Sequence, residues 1–155
     1  MVEGVWTERL DDLEDGNRMF YSCTSITEFS SDLPSLSNGY YMFRGCTALS
    51  SFNSDMSSLT NGEEMFYGCS ELSSFGSSNL SSLTNGEKMF YNCSKLTTFD
   101  SDLSSLTDAW YMFQNCSSLT SFNADLSSLT DGYRIFHGCK NLTTFNSDLS
   151  SLTDA

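Results

Sequence analysis

The chain has 155 residues and a net charge of −13 at pH 7, with 20 acidic and seven basic side chains. A chain this acidic is repelled by nucleic-acid phosphates and by anionic lipid surfaces, so neither is an expected partner. No apolar run approaches the roughly 18 residues of a membrane span, and residues 1–12 lack the basic start and apolar core of a signal peptide, so we expect no membrane insertion.

One phrase recurs along the whole chain, and its cysteines are 23 or 24 residues apart. They are Cys23, Cys46, Cys69, Cys93, Cys116 and Cys139. A fixed period of this size indicates a solenoid of stacked units. We predict one solenoid domain over 1–155, with a partial repeat at 1–18 and repeats that begin near residues 19, 42, 65, 89, 112 and 135.

Both ends of the sequence fall inside the repeated phrase. Residues 9–20 align with residues 125–136, so the N-terminal segment is the tail of a repeat, with Val5 and Trp6 as the expected apolar lid. The C-terminal end has no polar cap. Because uncapped solenoid ends expose core, we expect a fragment of a longer array, or another domain or subunit that covers this end, including a second copy of the chain. The third repeat has one extra residue near Gly76, where glycine suits a bulge.

Within each repeat the apolar spacing changes from helix-like to strand-like. The apolar residues from Met65 to Leu72 lie at i, i+1, i+4 and i+7, which is one face of a short helix. Thr60 and Glu63 resemble a capping box before it. Around Phe99 apolar and polar residues alternate, as in a short strand. We therefore predict an α/β solenoid, a right-handed superhelix with one parallel β-sheet and short helical segments on the opposite side.

Two residue columns are predicted to form the core. One is the six cysteines, and the other is one phenylalanine per repeat: Phe29, Phe52, Phe75, Phe99, Phe122 and Phe145. Metal sites use close pairs such as C-x-x-C, which this chain lacks, so free buried thiols are the favoured interpretation and no metal or cofactor is expected. Stacked units also bring neighbouring cysteines within disulfide range, which leaves bridges as an alternative.

An acidic or amide residue follows the strand position of every repeat. These residues are Asp32, Asp55, Asn79, Asp102, Asp125 and Asp148. Stacked carboxylates are able to hold calcium, but an aspartate in a turn more often accepts hydrogen bonds from nearby backbone amides. Since asparagine suits the second role equally well, we favour turn capping, with a cation site as the alternative.

The phrase Phe-x-x-Cys-x-x-Leu-x-x-Phe resembles the BspA-like class of leucine-rich repeats. It occurs first as Phe20, Cys23, Ile26 and Phe29 and last as Phe136, Cys139, Leu142 and Phe145. The family usually places an Ile/Leu-Pro pair shortly after the strand aromatic, whereas this chain has residues such as Asn53 and Asp55 there. The resemblance implies a curved leucine-rich-repeat solenoid used for binding, commonly at the surface of bacteria or outside the cell, and without catalysis.

Variation between the repeats collects around the predicted helix, where outward aromatic side chains occur. The candidate contact residues there are Tyr40, Trp110, Tyr133 and Arg134, and those on the small, polar strand face are Thr98, Asp100 and Asn123. Aromatic residues and arginine anchor protein interfaces. His137 is the single histidine, in a column that also holds Tyr, Arg and Gln, so no catalytic role is expected.

The favoured function is a non-enzymatic, adhesin-like recognition module that binds a protein or a glycan. The alternative is a structural spacer or stalk of a larger surface or phage protein, which the uniform Ser/Thr strand face favours. A hydroxyl ladder that acts on ice is a third hypothesis.

Overall fold

The computed structural model describes residues 5–6, 9–76 and 79–154, which stack as successive rungs. Within these residues each rung contributes one two-residue strand: β1 (Val5–Trp6), β2 (Glu28–Phe29), β3 (Ser51–Phe52), β4 (Ser74–Phe75), β5 (Thr98–Phe99), β6 (Ser121–Phe122) and β7 (Thr144–Phe145). All strand pairs are parallel and in register, so that Phe29 pairs with Phe52. Equivalent residues of successive repeats therefore lie directly above one another.

The strands form two parallel sheets, β1-β2-β3-β4 and β5-β6-β7, so the prediction of one continuous sheet is wrong. The division between β4 and β5 coincides with the one repeat of 24 residues. An extra residue on one side shifts the amide groups out of the register that pairing needs. Its predicted bulge involves residues 77–78, outside the described residues. Phe75 and Phe99 still stack across the division, with ring centroids 5.7 Å apart.

The predicted short helices are not found in the described residues, where tight turns stand in their place. Met42 N–H donates to Gly39 O, three residues back, at 3.0 Å, whereas Phe43 N–H donates to Met65 O of the next rung at 2.9 Å. An α-helix takes successive N–H groups for its own carbonyls, so this alternation excludes one. In the described part of the chain there is accordingly no helix that is long and apolar enough to cross a membrane.

Amide direction differs between the two flanks of a rung. On the turn flank, alternate N–H groups donate forward to the next rung. On the strand flank, Asn53 N–H donates backward to Phe29 O at 2.9 Å. Thr60, predicted to cap a helix, also bonds backward, because its hydroxyl donates to Ser37 O at 3.0 Å. The hydrogen bonds between rungs thus use backbone N–H groups and a threonine hydroxyl that the sequence predicts to form helices and their caps.

Two positions in each turn segment have left-handed backbone. One is occupied by Arg18, Tyr41, Glu64, Lys88, Tyr111 and Arg134, and the other by Ser22, Gly45, Gly68, Asn92, Asn115 and Gly138. The second set is made of the small residues that tolerate this conformation. The first set is not, and Tyr41 has a φ of 58°. Residues of this size keep a positive φ only where the surrounding structure imposes it. Here Tyr41 N–H donates to Glu63 O of the next rung, and the adjacent Tyr40 O accepts from Arg18 N–H of the preceding rung.

The core is a double column of phenylalanine rings. Rings of one column stack in parallel, and rings of different columns meet edge to face, which are favoured aromatic geometries. Phe90 has ring centroids at 5.4 Å from Phe66, 4.9 Å from Phe75, 5.3 Å from Phe99 and 5.2 Å from Phe113. Each interior ring is therefore enclosed by rings from its own rung and from both neighbours.

The predicted core columns are buried except near the ends. Phe29, Phe52, Phe75, Phe99 and Phe122 are at most 9% exposed. Phe145 differs from its prediction and is 38% exposed, because its ring stacks on Phe122 on one side and on no described ring on the other. Among the cysteines, Cys23 and Cys139 are half-buried and the four interior ones are buried.

Glycine and methionine form a matched pair in successive rungs. A Cβ atom added to Gly86 lies 2.9 Å from Met112 Sδ, which is too close for a normal contact. The same relation holds for Gly16, Gly39 and Gly62. In the turn where Ala109 replaces the glycine, Ile135 replaces the methionine of the next rung. The branched, shorter isoleucine leaves room for the alanine methyl group.

We expect the Gly86→Ala variant to lose about 1 to 3 kcal/mol of unfolding free energy, because the added methyl overfills the core. Met112→Ile alone should lose less than about 1.5 kcal/mol. The double variant should recover about 1 kcal/mol relative to the sum, because the two residues are in contact. Urea denaturation of the four proteins measures this coupling, and strictly additive losses would contradict the pairing.

Candidate functional site

The turn segments place two columns of side chains along one flank of the solenoid. The first column is Arg18, Tyr41, Glu64, Lys88, Tyr111 and Arg134, and the second is Tyr21, Arg44, Tyr67, Tyr91, Gln114 and His137. We name these twelve residues the turn-face stripe. It holds four of the seven Lys and Arg side chains of the chain and one of its 20 carboxylates. A positive strip therefore runs along a strongly negative protein.

In the first part of the stripe, the charged side chain of Arg44 is fully engaged by neighbouring residues of the stripe. The Arg44 guanidinium lies over two rings, 4.8 Å from the centroid of Tyr41 and 4.1 Å from that of Tyr67. It also forms an ion pair with Glu64, which is buried. Cation–π contacts on both sides and a paired carboxylate satisfy this arginine. We expect it to order the stripe and not to recruit a ligand.

The middle of the stripe presents a row of polar groups. Tyr67 and Tyr91 stack with ring centroids 4.7 Å apart and an interplanar angle of 1°. Gln114 Nε2 donates to the Tyr91 hydroxyl over a long 3.5 Å. The Gln114 Oε1 atom is buried and finds no hydrogen-bond partner among the described residues. An unpaired buried acceptor costs about 1 to 3 kcal/mol, so this oxygen is suited to accept from a ligand.

A groove of about 250 Å³ lies at this point. Its lining residues are Tyr67, Lys88, Tyr91, Tyr111, Gln114 and Arg134. None of the six is acidic. Lys88 is held in place by Glu87, whose Oε1 accepts from Nζ at 2.5 Å, and by the Trp110 ring, whose centroid is 4.7 Å from Nζ. Aromatic walls with a few convergent polar groups are typical of ligand sites.

The structure brings three of the four predicted contact residues on the turn side together and leaves the fourth on a distant rung. Trp110 is exposed, and its ring centroid lies 6.3 Å from that of the half-buried Tyr133. Arg134 is exposed, with its guanidinium 5.2 Å from the Tyr133 centroid. Tyr40 is on a distant rung, half-buried and stacked on Tyr41 at 3.9 Å. Trp110, Tyr133 and Arg134 thus form one patch beside the groove, and Tyr40 does not belong to it.

The predicted strand-face residues are exposed but form no cavity with the groove. Thr98, Asp100 and Asn123 all face solvent. Asn123 is already engaged, because its Nδ2 donates to Ser121 Oγ at 3.0 Å and its Oδ1 accepts from Asn146 Nδ2 at 2.9 Å. This face offers a flat hydroxyl and amide surface without aromatic groups.

The aspartates after the strands cap turns. Asp102 Oδ1 accepts from Ser104 N–H at 2.9 Å, and Asp125 Oδ1 accepts from Ser127 N–H at 2.8 Å. The hydrogen bonds from Ser127 lower the pKa of Asp125 below its usual value. Within the residues that the structure describes, no three His, Cys, Asp or Glu side chains are grouped as metal ligands. This geometry supports the turn-capping interpretation.

The cysteines are free thiols, and the five from Cys46 onwards donate to a carbonyl of the preceding rung. Cys69 Sγ donates to Phe43 O at 3.2 Å, and Cys93 Sγ donates to Phe66 O at 3.2 Å. Burial raises the pKa of the Cys46 thiol to about 12 and that of Cys139 to about 11. Because the thiolate is the reactive form, the thiols whose pKa values are raised are inert packing groups at neutral pH.

The groove contains residues for which the sequence alone predicts no binding role. Tyr67, Tyr91 and Gln114 share a column whose side chains vary freely, which suggested no function. The available signal was charge: this column and its neighbour together hold four of the seven basic residues, although the chain as a whole is acidic. Arg134 is the residue that belongs both to the prediction and to the groove.

Comparison with known proteins gives consistent matches. The family model for the BspA type leucine rich repeat region matches residues 16–143 in six copies. The crystal structure of a leucine-rich repeat protein from T. pallidum is 26% identical with a TM-score of 0.67, over 92% of this chain and 67% of that chain. A leucine-rich repeat protein from Bacteroides ovatus is 24% identical with a TM-score of 0.64, over 90% of this chain and 38% of that one. Comparison with curated protein sequences gives no match.

Proposed function

Because the chain belongs to the BspA-type leucine-rich repeat family, we propose that it is a non-enzymatic, adhesin-like recognition module that binds a protein or glycan at a cell surface or outside the cell. The observation that carries the proposal is the turn-face stripe with its adjoining Trp110 and Tyr133. Aromatic and basic side chains gather there, on a protein whose other surfaces are acidic or small and polar. These are the residue types that carry binding energy in interfaces.

The stripe is also preorganised for binding. Its backbone is held on both sides by hydrogen bonds between rungs, such as the one from Lys88 N–H to Trp110 O at 2.8 Å. Its rings are held by stacking, as between Tyr67 and Tyr91. Side chains that are already ordered lose little conformational entropy when a partner binds. A rigid row of aromatic groups therefore favours recognition over simple surface covering.

A structural spacer is the second candidate, and the uniform ladders support it. The hydroxyls of Thr84, Thr107 and Thr130 each donate to a carbonyl of the preceding rung at 3.0 to 3.1 Å. This repeated hydrogen bonding stiffens the solenoid whether or not its surface binds a partner. A spacer, however, gives no reason for the aromatic and basic groups to gather on one flank.

We expect the Trp110→Ala/Tyr133→Ala variant to bind its partner at least about tenfold more weakly, since exposed aromatic anchors typically contribute this much. The measurement is binding of the labelled protein to arrays of immobilised extracellular proteins and glycans. The matched control is Thr98→Ala/Asn123→Ala on the strand face, which should keep the affinity. A loss in the control alone would move the site to the strand face, and a flat wild-type profile would favour the spacer.

A further inference from the structure

We infer that the groove lined by Tyr67, Lys88, Tyr91, Tyr111, Gln114 and Arg134 binds an acidic oligosaccharide, with carboxylates placed at Lys88 and at Arg134. The inference rests on the proposed recognition function and narrows it to one ligand class and one site. It combines three properties of the groove: its charge, its hydrogen-bonding groups and its repeat spacing.

The charge of the groove selects an anion. Lys88 and Arg134 are its charged residues, and both are basic. Arg134 is exposed and has its guanidinium over the Tyr133 ring, so its charge is available to a ligand. Lys88 is already paired with Glu87 at 2.5 Å, but its ammonium group has three donors and keeps two for a second carboxylate. The other carboxylates of the protein repel anions at longer range, and a screening length of about 8 Å at physiological ionic strength confines that repulsion. Close ion pairs in the groove therefore decide the sign of the ligand.

The hydrogen-bonding groups of the groove suit a ligand with many hydroxyls. The two stacked rings of Tyr67 and Tyr91 carry phenol groups, which both donate and accept. Gln114 Oε1 is a buried acceptor for which the described part of the chain supplies no donor. A carboxylate has no proton to offer this oxygen, whereas a sugar hydroxyl does. An oligosaccharide supplies hydroxyl donors and carboxylates in one molecule.

The spacing of the basic groups suits a repeating ligand. Lys88 and Arg134 occupy the same column two rungs apart, so their backbones are roughly 10 Å apart at the usual strand spacing. Tyr111 lies between them in that column. A chain of sugars that bears acidic groups at intervals is able to meet both cations, with its uncharged part beside Tyr111.

The test uses charge reversal with a matched control. The Lys88→Glu/Arg134→Glu variant reverses both groove cations, and this column accepts glutamate because Glu64 already has the same left-handed backbone. The Lys95→Glu/Lys140→Glu variant makes the same change in net charge at two exposed lysines outside the groove. The probes are tetragalacturonate, a hyaluronan tetrasaccharide and sialyllactose, with methyl-esterified tetragalacturonate and poly-glutamate as comparison ligands, all followed by titration calorimetry.

We expect at least one acidic saccharide to bind wild type and the Lys95/Lys140 control with similar affinity, and to bind the groove variant at least about tenfold more weakly. Esterification of tetragalacturonate should weaken its binding, and so should added salt. Equal losses in the two variants, binding of poly-glutamate without any saccharide, or no saccharide binding at millimolar concentration would each overturn the inference. The proposed function is judged separately by whether wild type binds any protein or neutral glycan on the arrays, because Trp110 and Tyr133 also contact the two groove cations.

Discussion

Raising the pH from about 8 to about 10.5 is expected to unfold the protein, because its buried thiols must stay protonated for the core to form. Burial raises the pKa of Cys46 to about 12 and that of Cys139 to about 11, from a usual 9.0. Burial also raises the pKa values of Cys69, Cys93 and Cys116 well above 9.0. The unfolded chain therefore ionises first as the pH rises. The stability that the thiols contribute is complete below about pH 9 and is lost above it.

The size of this effect follows from the number of thiols. Each pH unit above the unfolded-state pKa removes about 1.4 kcal/mol for every thiol that stays protonated in the folded protein. Five such thiols at about 1.5 units give a loss of about 10 kcal/mol at about pH 10.5. This loss is comparable to the whole unfolding free energy of a typical domain, about 5 to 15 kcal/mol.

Urea denaturation at a series of pH values, followed by circular dichroism, measures the slope of unfolding free energy with pH. The comparison protein is Cys69→Ala/Cys116→Ala, which removes two of the five thiols. It should be less stable near neutral pH, because two packing groups are truncated. Its slope above pH 9 should be about two fifths smaller. Equal slopes would show that the buried thiols do not control the alkaline transition.

We expect Phe90→Ala to lose about 3 to 5 kcal/mol of unfolding free energy. The Phe90 ring is fully buried among four other phenylalanine rings. Its backbone is fixed as well, since Phe90 N–H donates to Met112 O of the next rung at 2.9 Å. The surrounding rungs are therefore poorly able to collapse into the space, and a cavity in the core carries the larger penalties of this type of substitution.

Phe145→Ala is the matched control, because it makes the same chemical change where the ring is 38% exposed. It should lose less than half as much as Phe90→Ala, since fewer contacts are removed. Both variants are compared by urea denaturation with fluorescence and circular dichroism, because stacked repeats are able to unfold in segments. Similar losses in the two variants would contradict the role of the enclosed ring column.

The stacking of repeats could be predicted because each repeat places the same apolar residue types at the same positions. The turns could not be told from helices by this pattern, since Phe66 and Cys69 are close both on a helical face and in consecutive tight turns. What decides between them is the bonding of alternate amides to another rung, which is not a local property. A local signal did exist, because Gly45, Gly68 and Asn92 occupy a position that needs left-handed backbone.

The candidate site could be predicted only as residue types. Outward aromatic groups at Trp110 and Tyr133 follow from the variation between repeats. The groove could not be predicted in this way, because Tyr67, Lys88 and Tyr111 come from three consecutive turn segments and meet only once the register between rungs is known. The division of the sheet between β4 and β5 could not be predicted for the same reason. One additional residue changes the hydrogen-bonded pairing of the strands without changing the pattern of apolar residues.

The opposite amide directions on the two flanks give the coil a polarity. Forward donors on one side and backward donors on the other mean that a rung fits between its neighbours in one orientation only. A rung turned over would bring donor against donor and acceptor against acceptor along both edges. Adding whole 23-residue units keeps the donors of each rung opposite the acceptors of its neighbours, so duplication of a unit yields a longer solenoid. Duplication of part of a unit breaks this match.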